Sequence, residues 1–208
     1  MELAATVLRA LSGEAGLHFR GDALYRAGQR VVMPAPHLHP HARDAAVESF
    51  RGAADGMALR LLNSDSGLHG RLRPDAPAAG LVFDMLEQFR VEALADPAMP
   101  GVRSNLSARF RQWAGEFEGS ALIETELGLL VFTVAQVCRA RILAEPIPPD
   151  LEDRIEATRV RLGAGIGRHL AGLRRARFSQ ERFAPHALAI AGTVEDMCGQ
   201  ARLRERQT

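Results

Sequence analysis

The residues His37, His39 and His41 alternate along the chain, and alternate side chains of an extended segment project to one side. Three imidazoles placed that way could cap a metal ion. Three-histidine sites, however, draw their ligands from rigid elements, with further partners that fix each ring. The surrounding PAPHLHPHARD mixes Pro and His with no apolar period, so it reads as a surface connection, partly extended because each Pro restricts the residue before it. Solvated histidines are therefore the first reading, and a metal contact at His37, His39 and His41 is the alternative. A second short pattern, Gly163, Gly165 and Gly167, superficially matches a loop that holds a dinucleotide's pyrophosphate. Such a loop must follow a strand and open a helix. Here it follows the charged, helix-like run 152–162, so close helix packing or a locally weakened helix is the better account.

Other chemistries leave no local signature. There is no G-x-S-x-G elbow, no H-E-x-x-H, no pair of C-x-x-C motifs and no D-x-S-x-S. All basic residues are Arg, which excludes a P-loop, whose Lys must reach the terminal phosphates, and a Schiff-base amine. Cys138 and Cys198 lie far apart in apolar-periodic segments and read as buried free thiols, which suits a reducing cytoplasm. The cluster Arg174, Arg175 and Arg177 could grip phosphate, but a solvated run at a helix end, favoured by the dipole, explains it more simply.

These side chains need elements to hold them. With 208 residues, 47% hydrophobic and 25% charged, the chain can bury a sizeable core, and its net charge of +1 supplies no global field for nucleic acid or an anionic membrane. The longest apolar run, 128–138, is far short of the ~20 residues of a membrane span. Residues 1–12 show helical spacing. The bursts between Leu17 and Met33 suit a small β hairpin. After the Pro/His-rich connection, Val47, Phe50, Ala54, Met57 and Leu61 recur at three- and four-residue steps, leaving Asp44, Glu48, Arg51 and Asp55 to water. Asn63 to Gly70 breaks that helix, and Pro74 and Pro77 suit the entrance of the next, whose stripe is Val82, Leu86, Phe89 and Ala93. Val102, Leu106, Phe110 and Trp113 carry another. The segment Leu122 to Leu143 reads as a central core helix, and two more follow. The pattern predicts a mainly α fold, a compact bundle of about seven helices with a small β hairpin near the N-terminus. Its predicted division is a 1–40 piece and a 41–208 helical domain.

One stretch carries more. In 51–106, Ala54, Asp55, Ala58, Leu59 and Arg60 are followed by Leu68, His69 and Pro74. Next come Phe83, Asp84, Glu87, Gln88, Arg90, Val91, Glu92 and Ala93, then Met99, Gly101, Val102, Asn105 and Leu106. In this order they resemble the N-terminal region of the T subunit of aerobic cobaltochelatase, and a looser likeness extends over most of 41–200. The resemblance implies aerobic cobalamin synthesis, in which a large subunit binds the corrin ring and cobalt is inserted with ATP hydrolysis. It implies an S-type AAA+ ATPase subunit and that large corrin-binding subunit as partners, with cobalt, magnesium and ATP belonging to the complex and none assigned to this chain. Family T subunits continue through an acidic linker into a von Willebrand-type domain, and this sequence stops before both, so complete chelatase activity is not expected of it. The interaction residues carried over are Asp55, Arg60, His69, Asp84, Glu87, Gln88, Arg90, Glu92 and Asn105.

On the helix around Phe83 to Ala93, the apolar stripe anchors the segment while its ionic groups turn outward. Glu87 and Arg90 are three apart, and such a surface pair contributes only ~0.2–0.5 kcal/mol. The crowding of polar groups therefore means either partners elsewhere in the fold or a facing subunit, with a metal role for His69, Asp84, Glu87 and Glu92 as a third reading. The expected function is a non-catalytic assembly module. The alternative is a free-standing metal- or tetrapyrrole-binding helical protein. No nucleic-acid or membrane partner is expected, and self-association stays open.

Overall fold

Eight α helices and a three-stranded sheet make up most of the described residues, 2–21, 23–39 and 46–205, of a computed structural model. The first helix, α1 (Glu2–Ser12), ends at Gly13, whose φ of +72° lets the chain reverse. Strands β1 (His18–Arg20), β2 (Ala23–Arg26) and β3 (Gln29–Val31) pair antiparallel in the order β1-β2-β3. Phe19 faces Leu24, and Leu24 faces Val31. The two-residue loop between β2 and β3 is Ala27 and Gly28, both at positive φ, which matches the strands' twist. The expected hairpin is thus one strand larger than the sequence suggested.

The Pro/His-rich connection is not on the surface over its described part. Residues 36–38 form a 3-10 turn in which His37 and Leu38 are buried, and Ala35 before it is buried too. Leu38 belongs to a small apolar cluster with Leu8, Leu17, Leu24, Met33 and Met57, and that cluster seats the sheet and α1 on α2 (Val47–Asn63). The reason is volume: a sheet this small cannot close its own core, so the chain leaving it fills the gap against α2.

Asn63 to Gly70 holds a helix rather than a mere break. Asp65 caps α3 (Ser66–Leu72), its carboxylate accepting from the Leu68 amide at 2.9 Å. Next come α4 (Pro77–Glu92), with Pro77 in its first turn where a missing amide proton costs nothing, and α5 (Pro100–Glu118). A 3-10 turn at 121–124 leads into α6 (Glu126–Leu143), followed by α7 (Pro149–Ala176) and α8 (Gln180–Glu205). The larger core joins α4 to α8, with Phe89, Phe132, Ile155, Phe183, Ile190 and Val194 at its heart. Within it Cys138 and Cys198 are buried thiols that form no disulfide with each other. Helix α7 runs unbroken through Gly163, Gly165 and Gly167. A side-chain carbon at Gly165 would stand 2.8 Å from Thr193 on α8, so that glycine marks a close helix contact. Among the described residues, no helix is long and apolar enough to cross a membrane.

Candidate functional site

Helix α4 lies between two groups of elements, and every residue from Val82 to Glu92 is buried. Its apolar stripe meets α6 and α8, while its polar side chains meet α2, α3 and the turn at 36–38. The ionic groups therefore do not point outward. Asp84, Glu87, Gln88, Arg90 and Glu92 all find partners within the fold, because a helix enclosed on every side has no solvent face to give them.

At the start of this polar face, Asp84 accepts from His69 Nε2 at 2.8 Å and from the Arg73 side chain at 2.9 Å. Against a carboxylate, the His69 proton belongs on Nε2, and the ring stacks on Phe83 at 4.8 Å. One turn on, Arg90 grips Glu87 through two bonds of 2.7 Å, and Ser64 donates to the same carboxylate at 2.6 Å. Arg90 also donates to the carbonyls of Asn63 and Arg177, so one guanidinium ties the ends of α2 and α7 to α4. Gln88 donates to the Gly56 carbonyl and to Glu92, each at 3.1 Å.

Glu92 ends the array. Its carboxylate meets His37 Nε2 at 2.7 Å, and Arg139 of α6 lies 3.9 Å from the other oxygen. Burial opposes the charge on Glu92, but His37, Arg139 and Gln88 together outweigh it and hold the carboxyl below its ordinary range. His37 is only 1% exposed and stacks on Phe89, with Phe110 and Trp113 edge-on. It is a core histidine, contrary to the solvated reading. The cause is Glu92, which lies 55 residues away in sequence and offers its ring a buried anion. His39 is half-buried and bonds the Met33 carbonyl at 2.5 Å, so it points back into its own loop. His41, and Asp44 of the expected solvent-facing set, lie outside the described residues.

Two of the carried-over residues form their own pair across α2 and α5. Asn105 donates to Asp55 at 2.8 Å. Asp55 was expected in water and is 2% exposed; burial pushes its carboxyl up, against the opposing pull of Asn105 and Arg51. This seam is tight: a side-chain carbon at Gly52 would stand 2.1 Å from the Asn105 carbonyl oxygen. Arg60 stands apart, 8% exposed, with one long bond of 3.4 Å to the Asp84 carbonyl.

Sequence reasoning missed Arg109, Arg139, Arg73 and Ser64. Arg109 is 1% exposed, and donates to the His37 carbonyl at 2.6 Å and to Ser49 at 3.0 Å. Its signal was available: with Leu106, Phe110 and Trp113 it falls on one helical stripe, so an arginine there had to be inside. Arg139 lies over the Phe110 ring at 4.4 Å and pairs with Glu145. Among the described residues, no group of three or more His, Cys, Asp and Glu is placed to hold a metal ion. What the arrangement does chemically is fix position. Its carboxylates are bonded to guanidinium, imidazole or amide donors, and such charge-assisted bonds set the register of five segments at once.

The family model described as cobalamin biosynthesis protein CobT matches residues 3–201, nearly the whole chain. The chain belongs to that family. Membership in the CobT family places it in cobalamin biosynthesis, and the matched span takes in the sheet, the buried turn at 36–38 and all of the ionic array. No solved structure matches this CobT-family chain.

Proposed function

We propose that this chain is the helical assembly module of a cobaltochelatase T-type subunit, carrying no catalysis of its own. It joins the S-type AAA+ ATPase subunit to the large corrin-binding subunit, and cobalt, magnesium and ATP are handled by that complex. The observation that carries this reading is the enclosure of α4. Asp84, Glu87, Arg90 and Glu92 are engaged with one another's neighbours inside the fold, so they serve rigidity rather than turnover. In this role the carried-over residues act on a partner indirectly, by holding the outer helices in one arrangement.

Those outer helices offer contact area at one end. Ion pairs from Arg154 to Glu124 and from Arg161 to Glu126 fasten α7 beside the start of α6. On the same stretches Leu122, Leu127 and Val160 are exposed, Val160 by 70%. Large apolar side chains left in water beside charged ones suit a protein interface, with an apolar centre and a polar rim.

Size-exclusion chromatography of the intact chain with the family's S-type ATPase tests the proposal. A larger species should form in at least one nucleotide state, and Leu122→Glu with Val160→Glu should diminish it while leaving the thermal midpoint of the chain within a few degrees. Separate elution with ATP, with ADP and without nucleotide overturns it.

A further inference from the structure

Between β3, α2 and α3 lies a cavity of about 300 Å³ whose charged lining is mostly cationic. Arg26, Arg60 and Arg73 border it, and among the described residues Asp84 is its only carboxylate. Two of these arginines are matched: Arg26 pairs with Glu14 at 2.6 Å, and Arg73 pairs with Asp84 at 2.9 Å. Arg60 is not. It is more than nine-tenths buried, and its one hydrogen bond among the described residues is the 3.4 Å contact to the Asp84 carbonyl. The nearby Glu87 is already gripped on two sides by Arg90 and bonded by Ser64. Arg60 itself lines the cavity.

Glu87 and Asp84 attract Arg60 electrostatically, but both carboxylates are hydrogen-bonded to other donors, and a guanidinium taken this far out of water is costly to the fold unless a further acceptor completes it. Its planar fork matches the two oxygens of a carboxylate or phosphate. Met33, Pro34 and Leu61 wall the same space and would cover a short apolar body, while Ser66 adds a hydroxyl. We infer that this cavity receives the oxyanion group of a small ligand, an organic carboxylate or a phosphate, with Arg60 as its buried anchor and Arg26 and Arg73 at its mouth. The inference stands apart from the assembly role, because it needs no second protein.

Calorimetric titration of the intact chain, in a buffer free of multivalent anions, separates the sources with two probes, inorganic phosphate and succinate. Saturable one-site binding of either is expected, weakened at least tenfold by Arg60→Met. That variant replaces an unmatched buried charge with an apolar chain of similar length, so its unliganded thermal midpoint should equal or exceed that of the parent. Arg26→Gln, at an exposed strand residue, should weaken binding several-fold and keeps the test alive if Arg60→Met fails to fold. Absence of saturable heat with both probes overturns the inference. So does binding of equal strength in Arg60→Met, or binding confined to a hexaglutamate peptide, which would make the cavity a protein-docking site.

Discussion

The two sides of α4 show how one helix can be held by opposite means. Toward α6 and α8 it presents Val82, Met85, Leu86 and Phe89 to an apolar core that includes Phe132, Ile190 and Val194. Toward α2, α3 and the 36–38 turn it presents Asp84, Glu87, Gln88 and Glu92 to His69, Ser64, the Gly56 carbonyl and His37. The apolar side gains roughly 25 cal/mol per Å² buried, without regard to direction. The ionic side gains little net free energy because desolvation offsets attraction, but it accepts only one register. The difference teaches that stability and specificity are divided between the two faces, with the N-terminal third of the chain attached through the specific one.

The strongest way to break that comparison is to remove one charge from the ionic side. Glu87→Ala strands Arg90, which is 2% exposed, and should cost ~3–5 kcal/mol in urea unfolding. Replacing both, Glu87→Met with Arg90→Met, should restore most of that loss. On the apolar side Leu86→Ala should cost ~2–5 kcal/mol, and no second substitution of the same kind should recover it. A Glu87→Ala variant within 1 kcal/mol of the parent would show the ionic side to be ornamental.

The next test is steric. Gly52→Ala drives a carbon to within 2.1 Å of the Asn105 backbone, which cannot rotate away, so α2 and α5 must separate. A loss of ~1–3 kcal/mol is expected, with the Asp55 to Asn105 bond weakened. Circular dichroism melts of Gly52→Ala check this, since an unchanged midpoint would mean the seam is looser than described.

Two carboxylates then sharpen the comparison through pH, with opposite signs. The Glu92 carboxyl is held below its ordinary value in the folded chain, so its contribution is present above the usual carboxylate range, near ~4.3, and is lost as pH falls through the folded value. Glu92→Gln should therefore be most damaging at neutral pH, and its gap from the parent should close toward acid. The Asp55 carboxyl is raised, chiefly by burial, so its contribution is full below the ordinary Asp value, near ~3.9, and is lost as pH rises through the folded value. Asp55→Asn keeps an acceptor for Asn105 and should be more stable than the parent at neutral pH, the advantage vanishing in acid. Parallel denaturation series between about pH 3.5 and 7 read both, and a variant-minus-parent difference of the same sign for the two at neutral pH would contradict the assignment.

How much of this was legible depends on which face is asked about. The stripe Val82, Leu86 and Phe89 declares its helix by period alone, and Pro77 announces that helix's start correctly. The fate of Asp84, Gln88 and Glu92 was not readable, because polar residues four apart look the same on a solvated face and on a face covered by another helix. Only the arrival of His37 and of His69 distinguishes them, and His37 is too distant in sequence for any local pattern to report. His69 was marked by family likeness alone. Arg109 shows the opposite case, a buried ion betrayed by its own position on an apolar stripe. The short helix α3 was hidden by its composition, since Ser, Asp and Gly suggest a break, whereas Asp65 is in fact the cap that starts it.

The smallest expected effect concerns the glycines of α7, far from the ionic side. Gly163 and Gly167 are exposed within a continuous helix, and a methyl at either would meet nothing within 4 Å. Neither has a backbone angle that requires glycine, so each keeps only the entropic cost of an unsubstituted residue. Gly163→Ala and Gly167→Ala should each raise stability by ~0.5–1 kcal/mol, additively because their side chains do not touch a shared partner. Gly165→Ala supplies the internal contrast, since its methyl presses on Thr193 and the helix gain must be set against a shift of α8. Thermal melts of the three variants decide it. Equal gains at all three would mean that α7 and α8 are not in close contact at Gly165, and losses at Gly163 and Gly167 would mean that these glycines serve something other than a helix.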